Sequence, residues 1–194
     1  HILGSSQVRI EHDGCVWVVS GDYKRDFDPT CAPFEVLPCD VFISEATFAL
    51  PAYQWPTTPI VAREIFDWWN SNRERGVASV LFAYALGKAQ RILAELVALT
   101  NDTIYVHGAV ASLVEAYRES GVTMLPTQPA TVAGAVNYAG ALVLAPPSAA
   151  GSPWMRRFGE CRTGFCSGWM RVRGNRRRRD RDTGFVQADG FCPR

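Results

Sequence analysis

Three side chains within the first forty-eight residues have the chemistry to hold metal ions or move protons: His1, Asp22 and Glu45. Imidazole and carboxylate are the usual ligands of divalent ions and the usual proton carriers of hydrolases. His1, the pair Gly21-Asp22 and the run Ser44 to Phe48 together read like the second half of a two-metal hydrolase site. His1 could serve there only if earlier residues supplied the rest of a cage. With no methionine at position 1, the expectation is a fragment that starts inside its own chemistry.

Other positions could bind polyanions. From Met155 onward there are eleven arginines against four acids, a balance of +7, whereas residues 1–154 carry nine Lys or Arg against fifteen acids, a balance of −6. Arg156, Arg157, Arg171, Arg173 and Arg176, Arg177, Arg178 and Arg179 could each fork onto a phosphate; a solvated charged tail is the alternative. Gly87-Lys88 at a helix start could set a phosphate over backbone N–H groups and a lysine, but the earlier glycine of a Walker A loop is missing. His107 before Gly108 at a strand end either faces a substrate crevice or caps and packs.

The elements that must position these groups follow from periodicity. Val8 to Ile10 and Val16 to Val19 are short apolar runs around Asp13-Gly14, a hairpin signal. Gly21-Asp22 ends the second, and a proline-containing loop leads to Val41 to Ile43, read as a buried strand whose exit carries Glu45. Ile60, Ile65, Trp68 and Trp69 mark one side of a helix ending near Gly76, with the tryptophans as core rather than stacking platforms. Strand and helix then alternate: Val77 to Ala83, helix Lys88 to Leu99, strand Ile104 to Val106, helix Val110 to Glu119, strand Ala141 to Leu144. That succession predicts a parallel α/β unit. Pro146-Pro147 through Gly151 is a candidate boundary, and Phe165 to Met170 and Gly184 to Val186 read as strand-like.

The composition, 47% apolar with a mean hydropathy of −0.04, suits a chain with an ordinary core. No stretch approaches a membrane span or a signal peptide. Six cysteines without a CxxC pair argue for reduced thiols and a cytoplasmic location.

His1 to Val8, Ser20 to Thr30 and Ser44 to Phe48 look like successive motifs of the metallo-β-lactamase fold nucleases with a β-CASP insertion. The runs Phe82 to Arg91, Val106 to Val110, Ser152 to Gly159 and Ser167 to Gly174 narrow the likeness, so that the chain resembles the bacterial DNA-ligase-associated exonucleases over nearly its whole length. The resemblance implies an α/β fold: a partial αββα sandwich, residues 1–50, then a β-CASP-like parallel insertion, residues 51–150, then a basic segment returning to the sandwich, residues 151–194. It implies a zinc-dependent phosphodiesterase acting on DNA in repair, with a DNA ligase and a helicase as partners and no membrane. His1 would bind one of two Zn2+ ions, Asp22 would bridge both, and Glu45 would orient a histidine near the leaving oxygen; Lys88, His107 and the arginines named above would contact nucleic acid. Two departures stand out. The family's His-x-His-x-Asp-His is absent, and no histidine occurs near Gly190, so this chain by itself is expected to be inactive. The alternatives are a non-catalytic nucleic-acid-binding module and an RNA-processing nuclease of the same superfamily.

Overall fold

A computed structural model describes residues 2–46, 56–130 and 136–166. They form two sheets, one of three strands ordered β1-β2-β3 and one of five ordered β6-β5-β7-β4-β8.

The first sheet begins as the predicted hairpin. Strands β1 (Val8–His12) and β2 (Cys15–Val19) are antiparallel with His12 opposite Cys15. Asp13 and Gly14 form the two-residue turn, both at positive φ (49° and 76°), a geometry whose twist matches that of paired strands. Strand β3 (Val41–Ile43) then pairs parallel to β2, Val19 facing Ile43. The register places Val8, Ile10, Trp17, Val19, Val41 and Ile43 on one face. That face is open: Val8 is 56% exposed, Ile10 53%, Trp17 44% and Ile43 45%. The expectation that Val41 to Ile43 is buried is therefore corrected. A run of apolar residues reports that a strand is suited to burial, and here only Val18, on the opposite face, is fully enclosed.

The second sheet is parallel throughout. Helix α1 (Thr58–Glu74) leads into β4 (Ala78–Phe82); α2 (Lys88–Glu95), extended by a 3-10 turn at Leu96–Ala98, leads to β5 (Ile104–Val106). Helix α3 (Gly108–Glu119), β6 (Thr127–Pro129), β7 (Leu142–Ala145) and β8 (Cys161–Phe165) complete it. Alternation sorts its side chains. Leu81, Ala83, Ile104, Val106, Leu142 and Leu144 meet the helices, while Ala78, Val80, Phe82, Val143 and Ala145 meet Tyr138, Ala149 and Phe158. A parallel sheet covered on both faces reads as continuous apolar runs, as β4 and β7 do.

Details differ from the sequence expectations. The buried stripe of α1 is Val61, Ile65, Trp69 and Asn72, with Ile60 51% exposed. Pro59 lies in the first turn, where its missing N–H costs no helical bond, and Trp69 is held by its indole N–H donating to the Gly140 carbonyl at 2.8 Å. Strand β6 went unforeseen, since Thr-Gln-Pro lacks an apolar pattern; it is an edge strand, where proline is tolerated. Strand β8, beyond the boundary expected near residue 150, pairs with β4 from Ala78 opposite Cys161 to Phe82 opposite Phe165. Residues Cys161–Phe165 thus belong to the five-stranded sheet, with the 3-10 turn Pro153–Phe158 packed beside it; β8 shares only Phe165 with the strand expected from Phe165 to Met170, and residues 167–170 and Gly184 to Val186 lie outside the described residues. Among the described residues no helix is long and apolar enough to cross a membrane, and Cys15, Cys31, Cys39, Cys161 and Cys166 are free thiols.

Candidate active site and its supports

The parallel pairing of β2 and β3 decides where Asp22 and Glu45 lie. Two parallel neighbours end on the same edge, so Gly21-Asp22 and Ser44-Glu45 leave the sheet side by side. The Ser20 N–H donates to the Ile43 carbonyl at 2.8 Å, and the Ser44 hydroxyl donates to the Gly21 carbonyl at 3.1 Å. Both carboxylates are exposed at this edge. His1 lies outside the described residues, as do Arg171, Arg173 and Arg176 to Arg179.

Asp22 stands at the rim of a cavity of about 630 Å3 between residues 2–7 and the loop that joins β2 to β3. Asp26, Asp28, Glu35, Lys24 and Cys31 also line it. Four acids against one lysine give it a negative lining, suited to cations rather than to a bare phosphate. The Cys31 thiol is held above its ordinary range by burial, then by the nearby Asp28 carboxylate, which disfavours the thiolate form. Among the described residues there is no group of three or more His, Cys, Asp or Glu side chains arranged to hold a metal ion. The described donors therefore do not fit a zinc site by themselves; Asp22 and Glu45 would need donors from elsewhere.

The loop from Ser20 to Asp40 is long for a connection without regular structure, a length typical of functional loops. It is pinned at its far end, where Asp40 accepts from the Val16 N–H at 2.7 Å and its own N–H donates to the Val16 carbonyl at 2.9 Å. In its middle lies a buried ionic cluster that sequence reasoning missed. One oxygen of Asp28 accepts from the Thr30 N–H and hydroxyl at 2.9 and 2.7 Å. The other faces Lys24 Nζ at 3.9 Å and Arg91 Nε at 3.3 Å; the second contact lacks the alignment of a hydrogen bond. Arg91 also donates through Nη2 to Thr58 Oγ1 at 2.6 Å. Burial lowers the guanidinium to about 10, with Glu95 acting in the opposite direction, so it stays charged at neutral pH. Two signals were available: Asp28 two residues before Thr30, an Asx-turn spacing, and an arginine set between Ala89 and Ile92 on a core-facing helix.

The expected anion site at Gly87-Lys88 is closed. The N–H groups of Lys88 and Ala89 donate to the carbonyls of Leu86 and Tyr84 at 3.0 and 3.1 Å, so the helix start satisfies its own donors. Ile2 fills the space beside Gly87, where a Cβ would collide with it. Lys88 instead sits 5.8 Å from the Tyr84 ring centre.

His107 caps and packs. Its Nδ1 accepts from the Ala109 N–H at 3.0 Å at the start of α3, and its ring meets Trp154 edge-on at 4.8 Å. An Nδ1 acceptor means that the neutral ring carries its proton on Nε2. Burial, then the charge of Arg157, lowers its pKa. Arg157 is itself engaged: it lies 4.9 Å from the Trp154 ring centre and donates to the carbonyls of Trp154 and Ala130. Arg156 is exposed. The run from Trp154 to Phe158 therefore serves chiefly as an aromatic cover for the sheet, with Phe158 against Trp154 at 4.8 Å and against Tyr138 at 4.9 Å.

Three curated relatives share parts of this chain. It is 28% identical over 190 residues to a probable DNA ligase of Opitutus terrae, covering 97% of this chain and 18% of that protein. It is 30% identical over 95 residues to an RNase J-like protein of Methanocaldococcus jannaschii, 48% of this chain and 23% of that protein. An endoribonuclease YSH1 of Eremothecium gossypii is 28% identical over 95 residues, 48% of this chain and 12% of that protein. The chain thus spans less than a quarter of the length of each. No family model matches it. These relatives are thus two nuclease-named proteins and a ligase-named one.

Proposed function

We propose that the chain is part of a phosphodiester-cleaving nuclease of the metallo-β-lactamase fold with a β-CASP insertion, and more narrowly of the DNA-ligase-associated exonucleases acting in repair. The observation that carries this reading is the side-by-side exit of Asp22 and Glu45 from two paired parallel strands. Carboxylates from neighbouring strand ends are close enough to act on one substrate yet are brought in by separate segments. The open apolar face of the three-stranded sheet supports it, because one layer of a sandwich presents such a face to the layer that would cover it. The names of the relatives support a nuclease; the ligase-named relative supports the narrower reading and a ligase as partner.

In this reading residues 1–50 belong to the sandwich and the parallel unit to the insertion, with β8 continuing the latter. Asp22, with His1, would hold zinc only together with ligands that the described residues do not supply, and Glu45 would orient a proton donor. Zinc would supply Lewis-acid chemistry at the phosphate. Nucleic acid would be drawn by Arg156, which is exposed, and by the arginine block near Arg176; Arg157 and His107 are committed largely to structure.

Binding of a fluorescent single-stranded DNA, its duplex and a matched RNA to residues 1–194 tests this. Each phosphate neutralised releases counterions, so affinity should fall roughly tenfold or more between about 50 and 200 mM salt. A flat response overturns the electrostatic part. Cleavage with added zinc should be negligible, because one carboxylate and one imidazole cannot complete two sites of three or four ligands; substantial cleavage abolished by Asp22→Ala would overturn the incomplete-site reading. The second reading, a non-catalytic nucleic-acid-binding module, is favoured by the lack of a three-donor group among the described residues. A His-x-His-x-Asp-His segment encoded upstream would decide against it.

A further inference from the structure

The two sheets share no strand, and among the described contacts a few residues link one to the other. The Leu3 N–H donates to the Tyr117 hydroxyl of α3 at 3.3 Å, and Ile2 packs on Gly87 at the start of α2. The third link is ionic. Lys24, Asp28 and Arg91 have side chains only 3%, 5% and 3% exposed, and Arg91 continues to Thr58 at the first turn of α1.

One carboxylate does two things here. Through Oδ1 it closes the local turn onto Thr30; through Oδ2 it faces the cation of α2. The shape of the loop and its attachment to the parallel unit therefore depend on the same group. Stability alone is a weak reason for such a cluster, because desolvation offsets much of the attraction and an apolar trio of similar volume is often as stable. An apolar trio, however, would accept other neighbours equally well. A buried carboxylate and its cations, by contrast, must stay within reach of one another to offset their desolvation, and Asp28 sits six residues after Asp22 in the same loop while Arg91 is on α2.

We propose that Asp28 and Arg91 are positioning residues that hold the loop carrying Asp22 in a set placement against α1 and α2, so that the parallel unit fixes where that carboxylate stands. The importance of Asp22 rests on the function proposed above; the positioning itself does not.

Amide hydrogen exchange followed residue by residue on residues 1–194 provides the test. Asp28→Asn and Arg91→Met should accelerate exchange in residues 22–34 by roughly tenfold or more while β4 and β7 keep their protection, since local opening need not engage the core. Arg91→Lys, which keeps the cation, should restore most of the protection. Unchanged exchange in the loop of a folded Asp28→Asn or Arg91→Met protein overturns the proposal, and so does an equal acceleration in β4 and β7, the mark of general destabilisation. If neither variant folds, the unaltered protein still decides. The Thr30 amide, bonded to Asp28, should exchange roughly tenfold slower than those of exposed Asp26 and Phe27; equal rates overturn it. No substrate or metal enters the assay, so failure of the nuclease reading leaves its outcome unaffected.

Discussion

The two sheets are made from similar strands and reach opposite ends of the burial scale. In β4 the run Ala78 to Phe82 is entirely enclosed, helices on one side and the aromatic cover of Tyr138 and Phe158 on the other. In β1 to β3 an equally apolar set, with Ile10 and Trp17 at its centre, faces outward. The difference lies in the connections. The parallel sheet is joined by helices and turns that fold back over it, whereas β1 to β3 are joined by a two-residue turn and an irregular loop that cover little. Stability is thus expected to be concentrated in one region, while the candidate chemistry sits at the edge of the other.

The largest expected effect separates the two directly. Leu144→Ala, in a fully enclosed strand, should cost roughly 2–5 kcal/mol in urea unfolding, while Ile10→Ala should change stability by less than about 0.5 kcal/mol. A comparable loss at Ile10 would mean that the open face is covered in solution, and the contrast would collapse. Next comes Gly87→Ala, at the junction between the regions. Gly87 has φ +79° and Ile2 against it, so the alanine should cost roughly 1–3 kcal/mol. Combining it with Ile2→Ala should recover the steric share alone, which a double-mutant cycle measures. A full recovery would show that the backbone there is unstrained.

The smallest effect is a pH dependence confined to the parallel unit. His107 has its pKa lowered by burial and by Arg157, so the folded state prefers the neutral ring and the unfolded chain takes up the proton first. Its contribution to stability is present above the ordinary histidine pKa, about 6.5, and is lost as pH falls through the lower folded value. His107→Asn, which can still cap α3, should flatten that slope, whereas His107→Ala should in addition cost about 1 kcal/mol through the lost cap. An identical slope in the Asn variant would place the titrating group elsewhere.

Much of this architecture was legible in the residues. Asp13-Gly14 predicted the hairpin because few residue pairs tolerate two positive φ angles, and the alternation of apolar runs with helical periodicity predicted a parallel unit. Asp22 and Glu45 were singled out at strand exits, where the structure places them. Other features were not legible for a stated reason. His107 could cap or face a crevice, and only the position of Trp154, 47 residues away, settled its packing. The Gly87-Lys88 start looked open until Ile2 and the carbonyls of Tyr84 and Leu86 were seen to occupy it. The Asp28–Arg91 link joins residues 63 apart, a pairing that no local pattern announces.

By itself the sequence determined what local physics governs: the turn, the alternation of faces, the helix stripes and the side chains at strand ends. Tertiary structure alone decided which apolar runs are enclosed, that β8 borders β4, and that a carboxylate in one loop meets a guanidinium on a distant helix. Periodicity and turn chemistry depend on neighbouring residues, whereas burial and ion pairing depend on which remote segments meet, and that is set by the summed packing of the whole chain.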